Sequence, residues 1–223
     1  MSLYPVNLNI TDKLCLVVGG GVVALRKTKS LLVCDARIRI ISPEITPELD
    51  AIIKKNEIEW FERGFAEGDL RGAFLVFAAT DNPDVQLLVA REAAKNAVLL
   101  NSADDPLHSH FHVPAHFRRG KMLVTVSTEG SSPALAKKIR QQMEKEIVPE
   151  YAIVVELLAL IREKIIGLDD DSDSNSELFR RLLQQGIVEL VLNGNWFELQ
   201  MMLLRELPAE ADAVELMKKI VEE

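Results

Sequence analysis

The sequence predicts an α/β protein built around a doubly wound parallel sheet, and three observations carry that prediction. Apolar runs of strand length alternate with amphipathic stretches of helix length through the first hundred residues. The strand candidates are continuously apolar, as in Phe74-Leu75-Val76-Phe77-Ala78-Ala79, which a sheet covered on both faces requires. The first run stops at Gly19-Gly20-Gly21, and a helix begins directly behind the glycines. Alternation at this spacing implies right-handed crossovers and parallel strands.

Taken in chain order, the strands are expected at residues 14–18, 37–41, 58–61, 74–78 and 98–101, with helices at about 22–33, 46–55 and 82–96. Between the first strand and helix the chain reads Gly19-x-Gly21-x-x-Ala24, the strand–turn–helix fingerprint of a dinucleotide site. Glycine permits the tight turn and lets backbone N–H groups approach a pyrophosphate, whose charge a helix N-terminus favours. The plainer reading is an ordinary turn between strand and helix. Its context makes the fold Rossmann-like and places Gly19, Gly20 and Gly21 at a cofactor. Such folds usually end the second strand with an acid that binds the adenosine ribose. Here Ser42 holds that place and Glu44 follows beyond Pro43, while no basic residue comes just after the strand, which favours NAD over NADP.

After residue 113 the pattern changes. A strand is expected over 121–127, entered through the turn Arg118-Arg119-Gly120. The loop 128–132 leads to Pro133 at the first turn of a helix, with Ser132 as its cap, running to about residue 148. From Tyr151 onward the chain reads helical to residue 166. The run Asp169-Asp170-Asp171-Ser172-Asp173-Ser174-Asn175-Ser176 is expected to be an exposed loop, and further helices lie at about 195–206 and 209–222. The division is therefore 1–113, 114–148 and 149–223, with the middle part a small α+β segment.

Composition narrows the function. The chain has 223 residues, 48% of them hydrophobic, and a net charge of −8. No apolar run approaches the ~18 residues of a membrane helix, and the first residues lack the basic and apolar regions of a leader peptide. With Cys15 and Cys34 read as buried thiols, a reduced, cytoplasmic protein is expected. Charge is uneven: residues 114–145 carry seven basic side chains against two acidic, whereas residues 146–223 carry 7 against 17. A local basic zone in an acidic protein suits a small anionic molecule better than nucleic acid, which the remainder would repel. A solvated helix face is the competing reading.

The chemistry is expected in the segment after the fifth strand, at the carboxyl edge of the sheet where open α/β folds bind ligands. Adjacent carboxyls there, Asp104 and Asp105, can supply a general base. All four histidines follow at once. His108, His110 and His112 have period two, so an extended segment would present them on one face as candidate metal ligands, with His116 just beyond. Surface or hydrogen-bonded histidines are the alternative.

Several motifs stand in register: Gly19-Gly20-Gly21-x-Val23-Ala24-x-Arg26-Lys27, Ala78-Ala79-Thr80-Asp81, Asn101-x-x-Asp104-x-Pro106, and Ser127-x-x-Gly130-x-Ser132-Pro133-Ala134-Leu135-Ala136. Together they resemble the precorrin-2 dehydrogenase/sirohydrochlorin ferrochelatase module of siroheme synthases, closely over about residues 4–148. The resemblance implies NAD-dependent oxidation of precorrin-2 to sirohydrochlorin. In many members insertion of ferrous iron then gives siroheme, Fe2+ being a substrate rather than a resident cofactor. It implies Asp104 as the acid–base residue. It implies cofactor contacts at Gly21, Val22, Val23, Pro43, Glu44 and Thr80, and substrate contacts at Asn101, Ser127 and Ser132. It also implies a homodimer formed through residues 114–148. A tetrapyrrole with eight carboxylates needs clustered cations, so Arg118, Arg119, Lys137 and Lys138 are expected to contact it. The alternatives are a dehydrogenase without chelatase activity and a non-enzymatic nucleotide-sensing module.

Overall fold

The computed structural model describes residues 2–102, 108–166 and 172–221. Contacts divide the chain into two units, residues 3–113 and, with Ser2, residues 114–223.

In the first unit, β1 (Leu14–Val18), β2 (Arg37–Ile41), β3 (Glu59–Phe61), β4 (Leu75–Ala78) and β5 (Leu99–Ser102) form one sheet of order β3-β2-β1-β4-β5. Every pairing is parallel, with Cys15 opposite Ile38 on one side and Leu75 on the other. The helices are α1 (Val22–Leu32), α2 (Pro47–Asn56) and α3 (Pro83–Asn96). Alternate strand residues serve opposite faces. Cys15, Val17, Ile38, Ile40, Leu75 and Phe77 pack with Ala24 and Leu31 of α1 and Leu49 and Ile53 of α2. Leu16, Val18, Ile41, Val76, Ala78 and Leu100 pack with Val89 and Ala93 of α3. This double coverage is why the strands read as unbroken apolar runs. Burial pushes the Cys15 thiol up to about 12, with Cys34 adding to the effect, so Cys15 is a core side chain rather than a nucleophile.

The connection from β3 to β4 crosses to the other side of β1 without a helix. Its turn is held by carboxylates instead. Asp69 accepts both arms of Arg63 at 2.7 and 2.8 Å together with the Ala66 N–H, and the Arg63 guanidinium holds its carboxyl below the usual range. From α3, the buried Glu92 accepts the N–H groups of Gly68 at 2.8 Å and Leu70 at 3.1 Å. Replacing Glu92 by Leu would strand two backbone donors away from water. The expected cost is about 2–4 kcal/mol, read as a lower urea midpoint with an unchanged slope.

The second unit opens with an antiparallel pair, β6 (Ala115–Arg119) and β7 (Met122–Val126), followed by α4 (Pro133–Glu146). From the sequence, Arg118 and Arg119 are expected in a turn. They are instead the end of β6, and the reversal falls at Gly120–Lys121. The strand escaped notice because Ala115-His116-Phe117-Arg118-Arg119 has only Phe117 fully buried. Ser132 caps α4 by accepting the Leu135 N–H at 3.3 Å, with Pro133 in the first turn.

Helices α5 (Tyr151–Ile166), α6 (Ser172–Gln184), α7 (Ile187–Leu192), α8 (Trp196–Glu206) and α9 (Ala213–Val221) share one core. It is centred on Leu157, Ile161, Leu182, Ile187, Leu199, Leu203 and Leu216, all fully buried. The expected loop over 169–176 is corrected here. From Ser172 the chain is already α6, its polar residues forming the first turn, where Asp173 complements the helix dipole. Residues 169–171 lie outside the described part of the chain. Among the described residues no helix is long and apolar enough to cross a membrane.

Candidate functional site

The strand order reverses direction between β1 and β4, so their carboxyl ends open a crevice into which the glycine turn projects. The three glycines do different work there. Gly19 has φ +126°, and a Cβ on it would lie 2.2 Å from the Ala79 carbonyl oxygen. A Cβ on Gly20 would lie 1.8 Å from the Glu44 carbonyl oxygen. These two are needed by the chain's own packing. At Gly21 an added Cβ would meet nothing within 4 Å. Ala24, the last small residue of the fingerprint, is fully buried against the sheet.

Gly21 is the N-cap of α1, which has no side-chain cap and no acid in its first turn. The opening N–H groups of α1 are therefore left to an outside acceptor, the arrangement that takes a pyrophosphate. Val22 is 75% exposed at the same opening and Val23 is half-buried. Glycine where the protein itself has room for a side chain, beside an uncapped helix start, fits a dinucleotide.

Across the crevice, the loop after β2 is latched to the turn. The Thr46 N–H donates to the Gly20 carbonyl at 3.0 Å and the Gly19 N–H to the Ile41 carbonyl at 2.9 Å. Ser42 is buried; its hydroxyl donates to the Glu44 carbonyl at 2.5 Å, and Trp60 Nε1 donates to the Ser42 carbonyl at 3.0 Å. Ser42 thus shapes the loop, while the Pro43 and Glu44 side chains are exposed on it. On the β4 side, the Thr80 hydroxyl accepts the Asn82 N–H at 3.2 Å and its carbonyl accepts Gln86 Nε2 at 2.6 Å.

At the end of β5 the buried Asn101 donates through Nδ2 to the Phe111 carbonyl at 2.9 Å and accepts Lys27 Nζ on Oδ1 at 3.2 Å. The same ammonium stands 4.5 Å from the centre of the Phe77 ring, and Phe111 meets Phe77 edge-on at 5.6 Å. Burial draws the Lys27 pKa down to about 8, and neighbouring Arg26 adds to the effect. Lys27 stands in the glycine-turn motif, where the sequence assigns it no role. The signal was available: it lies three residues after the inward-facing Ala24, so a charge there faces the sheet. Asp104 and Asp105 lie outside the described residues.

Among the described residues the alternating histidines belong to no group of three metal-ligating side chains. His110 Nδ1 accepts the Leu100 N–H at 3.2 Å, and the His110 N–H donates to the Leu100 carbonyl at 2.8 Å, so this residue closes the free edge of β5. His116 Nδ1 lies 3.0 Å from the Pro114 carbonyl. His108 is exposed and His112 half-buried, and among the described residues no group of three side chains could hold a metal ion.

The basic zone of the second unit also divides. Arg119 donates from Nε to the Ile147 carbonyl and from Nη2 to the Glu144 carbonyl, both at 2.9 Å, and lies over the Phe117 ring. It ties off the C-terminus of α4. Arg118, Lys137 and Lys138 are exposed. Ser127 accepts the Glu129 N–H at 3.1 Å, and together with the Ser132 cap it organises the loop before α4. A Lys137→Glu/Lys138→Glu variant is expected to unfold in urea with little loss of stability, as exposed ion sites are worth little to folding. Arg119→Ala should instead cost about 1.5–3 kcal/mol in denaturant unfolding, because it removes charge-assisted bonds to helix-end carbonyls.

This sheet order with this glycine turn defines an NAD(P)-binding α/β protein. The family model described as "Putative NAD(P)-binding" matches residues 6–115, and that described as "Sirohaem biosynthesis protein central" matches residues 119–146. Over most of its own length the chain is similar to siroheme synthases. It is 36% identical over 194 residues to a siroheme synthase of Thioalkalivibrio sulfidiphilus, covering 87% of this chain and 40% of that protein. It is 32% identical over 195 residues to a siroheme synthase of Chromobacterium violaceum, covering 87% and 42%. The chain thus spans about two-fifths of the length of these relatives. Its fold matches that of SirC, precorrin-2 dehydrogenase, with a TM-score of 0.73 and 24% identity over 99% of this chain and 100% of that one.

Proposed function

We propose that the protein uses NAD to oxidise precorrin-2 to sirohydrochlorin and then inserts ferrous iron to give siroheme. The open backbone at Gly21 carries the cofactor half of this reading, because packing among the described residues gives no reason for a glycine there. When bound, the nicotinamide supplies a hydride acceptor. The uncapped start of α1 holds the pyrophosphate, and the loop carrying Pro43 and Glu44 lies where the adenosine ribose belongs. The exposed Glu44 carboxylate, with no cation just after β2, favours the unphosphorylated ribose of NAD. Two hydrogens leave the substrate: one as the hydride, the other as a proton that Asp104 accepts. Arg118, Lys137 and Lys138 offer charge to substrate carboxylates. The working unit on this reading is a cytoplasmic homodimer joined through residues 114–148.

The decisive experiment mixes purified protein anaerobically with precorrin-2 and NAD, then adds ferrous iron, following the absorption spectrum throughout. An NAD-dependent change followed by an iron-dependent one is expected. No NAD-dependent change would sink the reading, and a first step alone would leave a dehydrogenase without chelatase activity. An Asp104→Asn variant is expected to fold normally and lose about 100-fold in kcat, the scale of general base catalysis. Full activity in that variant would remove Asp104 from its role.

A further inference from the structure

The inward positions of α1 are Ala24, Thr28 and Leu31, all buried, and an apolar residue at Lys27 would complete that face at no electrostatic cost. A long cation stands there instead, over the carboxyl ends of β4 and β5. Its surroundings are built with some care. The Phe111 carbonyl can only accept, so it takes the NH2 group of Asn101 and turns the amide oxygen toward the ammonium. Phe77 offers the negative face of its ring to the same ammonium, and Phe111 braces Phe77 from the side. An ammonium has three donors. Asn101 takes one, the ring takes none, and among the described residues no carboxylate forms an ion pair with Lys27. A half-buried cation held by neutral groups alone is costly to the apo protein, and an anion arriving in the crevice would relieve it.

We propose that Lys27, held by Asn101 and the Phe77 ring, is an anion-binding residue that receives a carboxylate of the tetrapyrrole substrate at the carboxyl edge of β4 and β5. This rests on the function proposed above. A second anion could come to the same cation, namely a phosphate of the dinucleotide. The placement favours the substrate. Pyrophosphate belongs at the first turn of α1 beside Gly21, whereas Lys27 is six residues further along, roughly 9 Å down the helix axis, and its ammonium is committed to β4 and β5 rather than to the glycine turn.

The test reads the lysine itself before it reads turnover. In 15N-lysine-labelled protein the Lys27 ammonium resonance, assigned by its loss in Lys27→Met, is titrated alone, with NAD and with sirohydrochlorin. Alone it should titrate near 8. Sirohydrochlorin should carry it back toward the ordinary value of 10.5, and NAD should leave it in place. A rise with NAD alone would give the anion to the cofactor phosphate and overturn the substrate assignment, and no rise with either would overturn the site. In steady-state assays Lys27→Met should raise KM for precorrin-2 at least tenfold with kcat and the KM for NAD little changed, and Lys27→Arg should recover most of the loss. Equal KM values in wild type and Lys27→Met would also overturn it. Failure of the wild type to oxidise precorrin-2 is a separate result. That would remove the proposed reaction, while the titration with sirohydrochlorin still decides whether Lys27 meets a carboxylate.

Discussion

Gly21→Val is expected to fold as the wild type does and to lose dinucleotide binding, whereas Gly20→Ala is expected to lose the fold's stability first. The contrast follows from where each new side chain would go. At Gly21 the backbone has φ −85° and ψ −166°, an extended conformation that a β-branched residue adopts readily, and the space around its Cβ is empty. Among the described residues nothing lies within 4 Å of a Cβ at Gly21, so the thermal midpoint should stay within about 2 °C of wild type, the effect of under 1 kcal/mol in a chain of this size. The side chain would, however, stand at the uncapped start of α1 and keep the pyrophosphate from its N–H donors. Calorimetry should detect no NAD binding.

At Gly20 the obstacle is backbone. The Cβ would fall 1.8 Å from the Glu44 carbonyl oxygen and 2.8 Å from Ser42 Oγ, in a loop already fastened by the Ser42–Glu44 and Thr46–Gly20 hydrogen bonds. Moving that loop means breaking those bonds, at a cost on the order of 3–5 kcal/mol and a midpoint lower by about 10 °C. Normal NAD affinity in Gly21→Val would show that the open glycine is not the cofactor cradle. A wild-type midpoint in Gly20→Ala would show that the loop is looser than its hydrogen bonds imply.

The same division separates what the residue order disclosed from what it concealed. The parallel sheet was legible because burial on both faces writes itself as continuous apolar runs, and the glycine turn because its neighbours repeat a spacing that backbone geometry demands. Side-chain employment was not legible. Arg119 looked like any other cation of the basic zone, yet it closes the C-terminus of α4, a contact 25 and 28 residues away in sequence. His110 looked like part of an imidazole row, yet its ring accepts a backbone N–H and finishes a sheet edge. Ser42 stood where a ribose-binding acid was expected and turns out to pin the loop that displays Glu44. The start of α6 was missed for a local reason. Ser, Asp and Asn are typical of turns but equally of first helical turns, and only the buried Leu178 and Leu182 beyond them decide between the two. At Lys27 the helical spacing from Ala24 marks an inward position, but a lysine on a helix is ordinarily a solvated one, and its contacts with Asn101 and Phe77 come from distant strands.

Lys27→Met should make the ligand-free protein more stable at pH 7, by about 1–2 kcal/mol. The sign follows from the direction of the pKa change. Lys27 titrates near 8 in the folded protein and at 10.5 when unconstrained, burial being the larger cause and Arg26 the smaller. Between those values the unfolded chain binds more protons than the folded one, so stability rises with pH across that window. Below about 8 the full cost of holding the charge is present. A fall from 10.5 to about 8 corresponds to roughly 3–4 kcal/mol at most. Solvent reaching the half-buried group and the loss of its contact with Phe77 reduce the gain from removing it. Methionine keeps the length and fills the same space without charge. Urea unfolding at pH 7 and again near pH 10 should therefore show the variant's advantage shrinking as the wild-type lysine is neutralised. A less stable variant at pH 7 would mean that Asn101 and Phe77 already compensate the ammonium, and the anion would gain little by coming. A more stable variant that binds substrate worse is the signature of a charge kept for a ligand rather than for the fold.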